Sequence, residues 1–152
     1  HRLTERSRCS CNLFPSPPAG QVFAIEKNPE AAALLEENRA RLGASNLTVV
    51  SGAAPEALAG LPAPDRVFLG GTSGSMDEIL TMIFDKNPAA RVVCTAVTLE
   101  TVGEAARLFA PLAEADMAQL AVTRTRQAGR YRLMDAQNPV WIFSGEGKGH
   151  DA

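Results

Sequence analysis

Short apolar runs alternate along this chain with stretches of helical spacing. Val22-Phe23-Ala24-Ile25 is an apolar run bounded by polar residues, the pattern of a strand buried on both faces. Asn28-Pro29 then reads as a helix start, because Asn caps and Pro sits in the first turn, where its missing N–H costs nothing. Ala31, Leu34, Leu35, Asn38 and Leu42 keep helical spacing up to Gly43, the stop. Leu47–Val50 predicts a second strand, Pro55–Ala59 a short helix and Arg66–Leu69 a third strand. Ser75 and Glu78 suggest a capping box, with Met76, Ile79, Leu80 and Ile83 on one face of the helix that follows. Arg91–Val97 predicts a fourth strand, and Thr98 starts a helix running to about Leu112. Ala118–Thr125 and Tyr131–Asp135 are strand-like around a turn at Gln127-Ala128-Gly129, and Pro139–Phe143 closes the pattern.

Strands alternating with helices predict an α/β fold: βαβ units, a mostly parallel sheet with helices on both faces, and a final antiparallel hairpin. Residues 1–20 keep neither period. Arg2, Arg6 and Arg8 crowd them, and Pro15, Pro17 and Pro18 follow. They read as an irregular segment ahead of a domain over 21–145, with a solvated tail over 146–152 that begins to show at Gly145. The chain opens on His1, which reads as something removed or as a piece of something longer.

Composition narrows the class. The chain has 152 residues, 45% hydrophobic and 21% charged, enough for one globular domain and unlike a collagen-like, disordered or disulfide-framework chain. No apolar run approaches the ~18–20 residues of a membrane span, and no signal peptide is visible. A net charge of −2 gives no basic footprint for nucleic acid. The composition fits a cytoplasmic protein. Cys9, Cys11 and Cys94 are an odd number with no His cluster nearby, so no metal site is predicted, and Cys94 reads as a small core residue.

In open α/β sheets ligands sit at the carboxyl ends of the strands. Those ends hold Glu26, the Ser51-Gly52-Ala53-Ala54 segment, the Gly70-Gly71-Thr72-Ser73-Gly74 loop and Thr95-Ala96. A carboxylate at Glu26 could accept both hydroxyls of a ribose, or it could be a surface group facing Lys27 or the helix start. The glycine loop could let a ligand approach the backbone, or it could be a plain connection; no Gly-Lys-Ser/Thr makes it a P-loop. Arg124, Arg126, Arg130 and Arg132 could form a basic strip for a polycarboxylate, or keep an edge hairpin soluble. No catalytic Ser/His/Asp set or other catalytic residue is identifiable.

These segments resemble a known family. Val22–Ala31, Gly52–Leu58 and Asp65–Gly71 look like successive motifs of class I S-adenosylmethionine-dependent methyltransferases, with their Rossmann-like sheet. Together with Ala96–Thr101 and Asn138–Ile142 they are similar to the decarboxylating precorrin methyltransferases of cobalamin synthesis. Those enzymes methylate carbon 15 of the tetrapyrrole and remove the carboxyl of the acetate on carbon 12. They occur alone or as the C-terminal half of precorrin-6Y C5,15-methyltransferase, so a preceding methyltransferase domain is one arrangement. The resemblance implies S-adenosylmethionine as cofactor, a precorrin substrate and a homo-oligomer, a tetramer in members of this type. The charge and the lack of a long apolar run predict no nucleic-acid or membrane partner. The resemblance also implies that Glu26, with Lys27 beside it, meets the donor ribose, that Ala53 and Ala54 lie by the adenine, and that Gly70 and Gly71 border the methionine end. Thr72, Ser73, Arg124 and Arg126 would face the substrate.

The chain also departs from that family. Ala53 stands where many relatives carry an acid, and Cys94-Thr95 where they often carry Asn. The family begins with a central strand and a Gly-rich loop; about 20 residues before Glu26 this chain has Arg6-Ser7-Arg8-Cys9-Ser10-Cys11, with no Gly before Gly20. The first strand and that loop are therefore expected to be missing or altered. Three readings follow: a methyltransferase, a truncated or defective domain of the same fold without donor binding, and an NAD-type Rossmann binder. The missing loop predicts weak or no donor binding by the chain as it stands.

Overall fold

The computed structural model describes residues 20–71 and 74–148. They fall into two compact units, one up to Leu61 and one from Pro62, and each is described by itself.

The first unit is built from β1 (Val22–Glu26), α1 (Pro29–Leu42), β2 (Leu47–Ser51) and α2 (Glu56–Ala59). β1 and β2 pair in parallel, with Glu26 opposite Ser51. The Asn28 side chain accepts from the N–H groups of Glu30 and Ala31, and Gly43 ends α1 in the left-handed region at φ 65°, so both caps predicted from the sequence are present. α1 buries Ala32 and Leu35, whereas Leu42 is exposed and is not part of that face. β1 is half-buried along its whole length, less than its apolar run predicts, because β2 is its sole ladder partner among the described residues.

The second unit contains β3 (Arg66–Leu69), α3 (Met76–Lys86), β4 (Arg91–Ala96), α4 (Leu99–Phe109), β5 (Ala113–Leu120), β6 (Thr123–Ala128), β7 (Tyr131–Ala136) and β8 (Val140–Glu146). Its main sheet has the order β3-β4-β8-β5, and only the β3–β4 pair is parallel. The sheet is thus mixed: β3, β4 and β5 run one way, and β8, inserted between β4 and β5, runs against them, so the expected mostly parallel pairing is broken by one strand. Val92, Cys94 and Ala96 alternate along β4 and are buried, while Arg91, Val93 and Thr95 on the other face are half-buried. α4 packs on the buried face through Phe109, whose ring centroid lies 5.9 Å from that of Phe143, and α3 packs against α4. Helices therefore lie over one face of this sheet, not both, among the described residues. Met76, Ile79, Leu80 and Ile83 are all buried, as their spacing predicts, each contributing ~1.5–3 kcal/mol of apolar burial.

Several boundaries differ from the pattern. Ser75 makes no side-chain cap, because its backbone (φ −105°, ψ 25°) is not extended, so the expected capping box is absent. Thr98 is extended and accepts from Thr101 N–H at 3.2 Å, a working cap. The single strand expected over Ala118–Thr125 is two, β5 and β6. Between them the ladder breaks opposite Pro139, which has no N–H to give, and Gln137 N–H reaches Val122 O at 2.9 Å instead. The β6–β7 turn is Gly129-Arg130, with Gly129 at φ 59°, so it shares Gly129 with the expected turn but begins two residues later and ends one later. The tail expected from Gly145 is not solvated at its start. β8 runs to Glu146, and Gly145 and Gly147 are buried, the latter bonded to Ala90 O.

Candidate functional site

In the first unit the carboxyl ends of β1 and β2 bring Glu26 beside Gly52. Gly52 N–H donates to Glu26 O at 3.1 Å, which extends the ladder one residue past Ser51. Gly52 sits at φ 150°, and a Cβ there would lie 3.1 Å from Ala57 Cβ, so the turn into α2 has little room for a side chain. Asn28 orients the carboxylate: its backbone N–H donates to Glu26 Oε1 at 2.8 Å while its side chain caps α1. One short segment, Glu-Lys-Asn-Pro, thus ends the strand, starts the helix and fixes the acid. A carboxylate has about four acceptor positions, so one bond leaves capacity for a vicinal diol. Lys27 is exposed, Ala53 is exposed and Ala54 is half-buried, so the segment after β2 presents small side chains beside Glu26.

In the second unit β3 ends at Leu69, followed by exposed Gly70 and Gly71, with Gly71 at φ 107°. That angle favours glycine and turns the chain away from the strand end. Thr72 and Ser73 lie outside the described residues, as do Cys9, Cys11, the Arg-rich start and both histidines. Glu26, Ala53 and Ala54 thus belong to one unit, and Gly70, Gly71 and the arginines to the other.

The arginines do not form one strip. Cross-strand register puts Arg124 opposite Asp135, Arg126 opposite Leu133 and Gln127 opposite Arg132. Arg124 and Arg126 therefore share a face, while Arg132 lies on the other and Arg130 in the turn. Arg126 Nε lies 3.9 Å from Asp135 Oδ2, an exposed ion pair. Arg130 donates to Tyr131 Oη at 2.6 Å and sits over its ring at 4.9 Å. Of the four arginines, Arg124 and Arg126 thus share one face with Asp135. Nothing in the spacing of the arginines reveals Asp135, because the register depends on the turn.

The sequence also gives no sign of an open groove of about 330 Å³ lined by Arg66, Val67, Phe68, Arg91 and Val93. Three consecutive β3 residues line it, so it runs along the strand edge. It includes Arg66 and Arg91, the first residues of their strands, and so reaches the end opposite to the one ligands use. Cys94 is buried, and burial pushes its thiol up to about 11, with Glu104 adding to the effect. It is a protonated core group rather than a nucleophile. Among the described residues no three His, Cys, Asp or Glu side chains gather for a metal ion, and no helix is long and apolar enough to cross a membrane.

Comparison with known proteins extends these observations. A family model described as a precorrin methyltransferase domain matches residues 10–146. A probable cobalt-precorrin-6B C(15)-methyltransferase (decarboxylating) of Methanothermobacter thermautotrophicus is 39% identical over 126 residues, 81% of this chain and 66% of that protein. The crystal structure of a precorrin-6Y C5,15-methyltransferase from Geobacter metallireducens superposes with a TM-score of 0.74 at 33% identity, over 86% of this chain and 70% of that one. The C-terminal domain of the Rhodobacter capsulatus precorrin-6Y C5,15-methyltransferase gives a TM-score of 0.75 at 28% identity, covering 84% and 68%. The chain spans just under two thirds of the Methanothermobacter protein's length.

Proposed function

The chain belongs to the precorrin methyltransferase domain family, and from that premise we propose that it takes part in methylation of carbon 15 of a precorrin with loss of the carbon-12 acetate carboxyl, in the cytoplasm. The observation that carries this reading is Glu26, placed at the carboxyl end of a parallel strand with Oε1 held by Asn28 N–H. A carboxylate so oriented suits the ribose diol of S-adenosylmethionine, and the small Ala53 and Ala54 leave space beside it. The donor supplies an electrophilic methyl group when bound. The protein's part is to align that methyl with the ring carbon and to exclude water. Gly70 and Gly71, exposed after β3, present backbone without side chains, and Thr72 and Ser73 follow them in the sequence as the proposed substrate contacts. Arg124 and Arg126, two guanidiniums on one face, suit the carboxylates around a tetrapyrrole. The resemblance further supports a homo-oligomer, a tetramer in its fullest form.

For the 152-residue chain the same proposal carries the alternative of a domain that keeps the fold and holds the donor weakly. It is favoured by one observation in the sequence: about 20 residues before Glu26, where a Gly-rich loop is expected, stands Arg6-Ser7-Arg8-Cys9-Ser10-Cys11, with no glycine. Titration of the purified chain with S-adenosylmethionine, followed by calorimetry and by NMR at high ligand concentration, separates the two. The expected result is millimolar binding that perturbs amides at Glu26, Gly52 and Ala53. Micromolar binding overturns the weak-donor reading, and no perturbation near Glu26 overturns the ribose assignment.

A further inference from the structure

β3, β4 and β5 of the second unit run the same way, so their carboxyl ends lie at one end of the sheet, together with the start of β8. Leu120 pairs with Val140 on one side of β8, and Ala96 pairs with Trp141 on the other. Val97 therefore comes one step past the last β4–β8 pair, level with Val140. Neighbouring strands lie ~4.8 Å apart, so the row from Val97 through Val140 to Leu120 is about 10 Å wide. Phe143 faces α4, so Val140 and Ile142 turn to the opposite face, and Leu120, as the cross-strand partner of Val140, turns with them. No helix covers that face among the described residues. Leu120 is 55% exposed, Val122 39%, Val97 62% and Leu99, the first residue of α4, 84%. Single exposed apolar residues are ordinary, but four large ones at the ends of two strands joined through Val140 form a patch. Folding does not account for Leu99, because α4 buries Ala105 and Phe109 and leaves its first turn in solvent.

We propose that Val97, Leu99, Leu120 and Val122 form a platform for the apolar face of the tetrapyrrole, with Arg124 taking a carboxylate at the edge of the ring. This inference rests on the substrate reading above and deepens it by naming the side chains that hold the ring. A macrocycle with peripheral carboxylates has an apolar plane and an anionic rim, and the site sets an apolar row beside one guanidinium. Arg124 follows Val122 by two residues. Of the two arginines on its face, Arg126 is the one ion-paired with Asp135, which leaves Arg124 without an ion pair among the described residues. A purely apolar ligand gives that charge nothing to meet. Glu100, exposed beside Leu99, repels carboxylates, so the anionic edge of the ring is expected over β5 rather than over α4.

The test is a fluorescence titration of the full chain with uroporphyrin, a stable octacarboxylate tetrapyrrole, read by quenching of Trp141, the single tryptophan. Leu99→Gln and Val97→Thr remove apolar surface at exposed positions and keep the charge. Each is expected to weaken binding roughly 3- to 10-fold with an unchanged far-UV spectrum. Leu120→Gln gives the same reading should Val97→Thr not fold. Arg124→Ala is expected to weaken binding to a similar extent, and Leu42→Gln, which changes a comparably exposed apolar residue of α1, is expected to leave it unchanged. A parent chain that does not bind uroporphyrin overturns the tetrapyrrole reading together with the platform. Binding that the folded Leu99→Gln and Val97→Thr chains leave unchanged, or that Leu42→Gln weakens as much, overturns the platform alone.

Discussion

Replacing Glu26 separates its structural role from its proposed ligand role. In the protein its Oε1 accepts one backbone bond, from Asn28 N–H at 2.8 Å. Glu26→Gln keeps a neutral acceptor for that bond and removes the charge. Glu26→Ala removes both. Two ribose hydroxyls donating to a carboxylate are charge-assisted, at ~1.5–3 kcal/mol each in full and less where solvent reaches the site, so Glu26→Ala is expected to lose ~1–3 kcal/mol of donor affinity. That is a weakening of roughly 5- to 150-fold, with Glu26→Gln in between. The assay is an NMR titration with S-adenosylmethionine, which follows weak affinities for all three chains. Asn28→Ala is the control. It removes the α1 cap, at a cost of ~1 kcal/mol, and leaves its own backbone N–H in place for Glu26. It is expected to lower Tm by ~2–4 °C in a chain of about 150 residues and to leave the dissociation constant unchanged. If Glu26→Ala and Glu26→Gln bind as the parent does, Glu26 does not hold the ribose. If Asn28→Ala weakens binding as much as Glu26→Ala, the acid acts only through the helix start.

Three other outcomes are expected. Arg124→Ala with Arg126→Ala should impair precorrin turnover, measured in a preparation competent for the reaction, more than donor binding; equal losses in both would mean a folding defect. Thr98→Ala should cost ~0.5–2 kcal/mol in denaturant unfolding while Ser75→Ala costs close to nothing, because only Thr98 makes its cap bond; equal costs would refute the cap assignment. Cys94 stays protonated in the folded chain up to about pH 11, while the unfolded thiol ionises near 9.0. The unfolded state therefore binds fewer protons between those values, and the Cys94 contribution to stability is complete below pH 9 and declines above it by on the order of 3 kcal/mol. Unfolding measured across that window should lose this component of its pH slope in Cys94→Ala; an unchanged slope would place the thiol in water.

Local chemistry made much of the fold legible. Asn28-Pro29 and Gly43 bracket α1 because caps and left-handed glycines act within a few residues. The Met76, Ile79, Leu80 and Ile83 spacing gave the buried face of α3 for the same reason. Glu26 was legible because a strand end and a helix cap fix it from both sides. β5 was less so: Ala113–Met117 alternates, but through alanines set against Glu114 and Asp116, residue types depleted in strands, and what makes it a strand is its ladder with β8. The same holds for Gly145 and Gly147, whose neighbours Leu112 and Phe84 leave no space for a side chain, a demand set by packing across the chain.

The residues themselves determined the element types, the caps, the family likeness and the acid at the end of β1, all matters of spacing within a dozen positions or of motif order. Only the tertiary structure decided that β8, inserted antiparallel between β4 and β5, makes the main sheet mixed, that Asp135 lies opposite Arg124, and that Met134 stands on a nearly uncharged face. Those facts depend on which strand lies beside which and in what register. A one-residue slip of β7 against β6 would bring Met134 and Arg132 onto the face of Arg124 and Arg126, and no local pattern of apolar and polar residues sets that register.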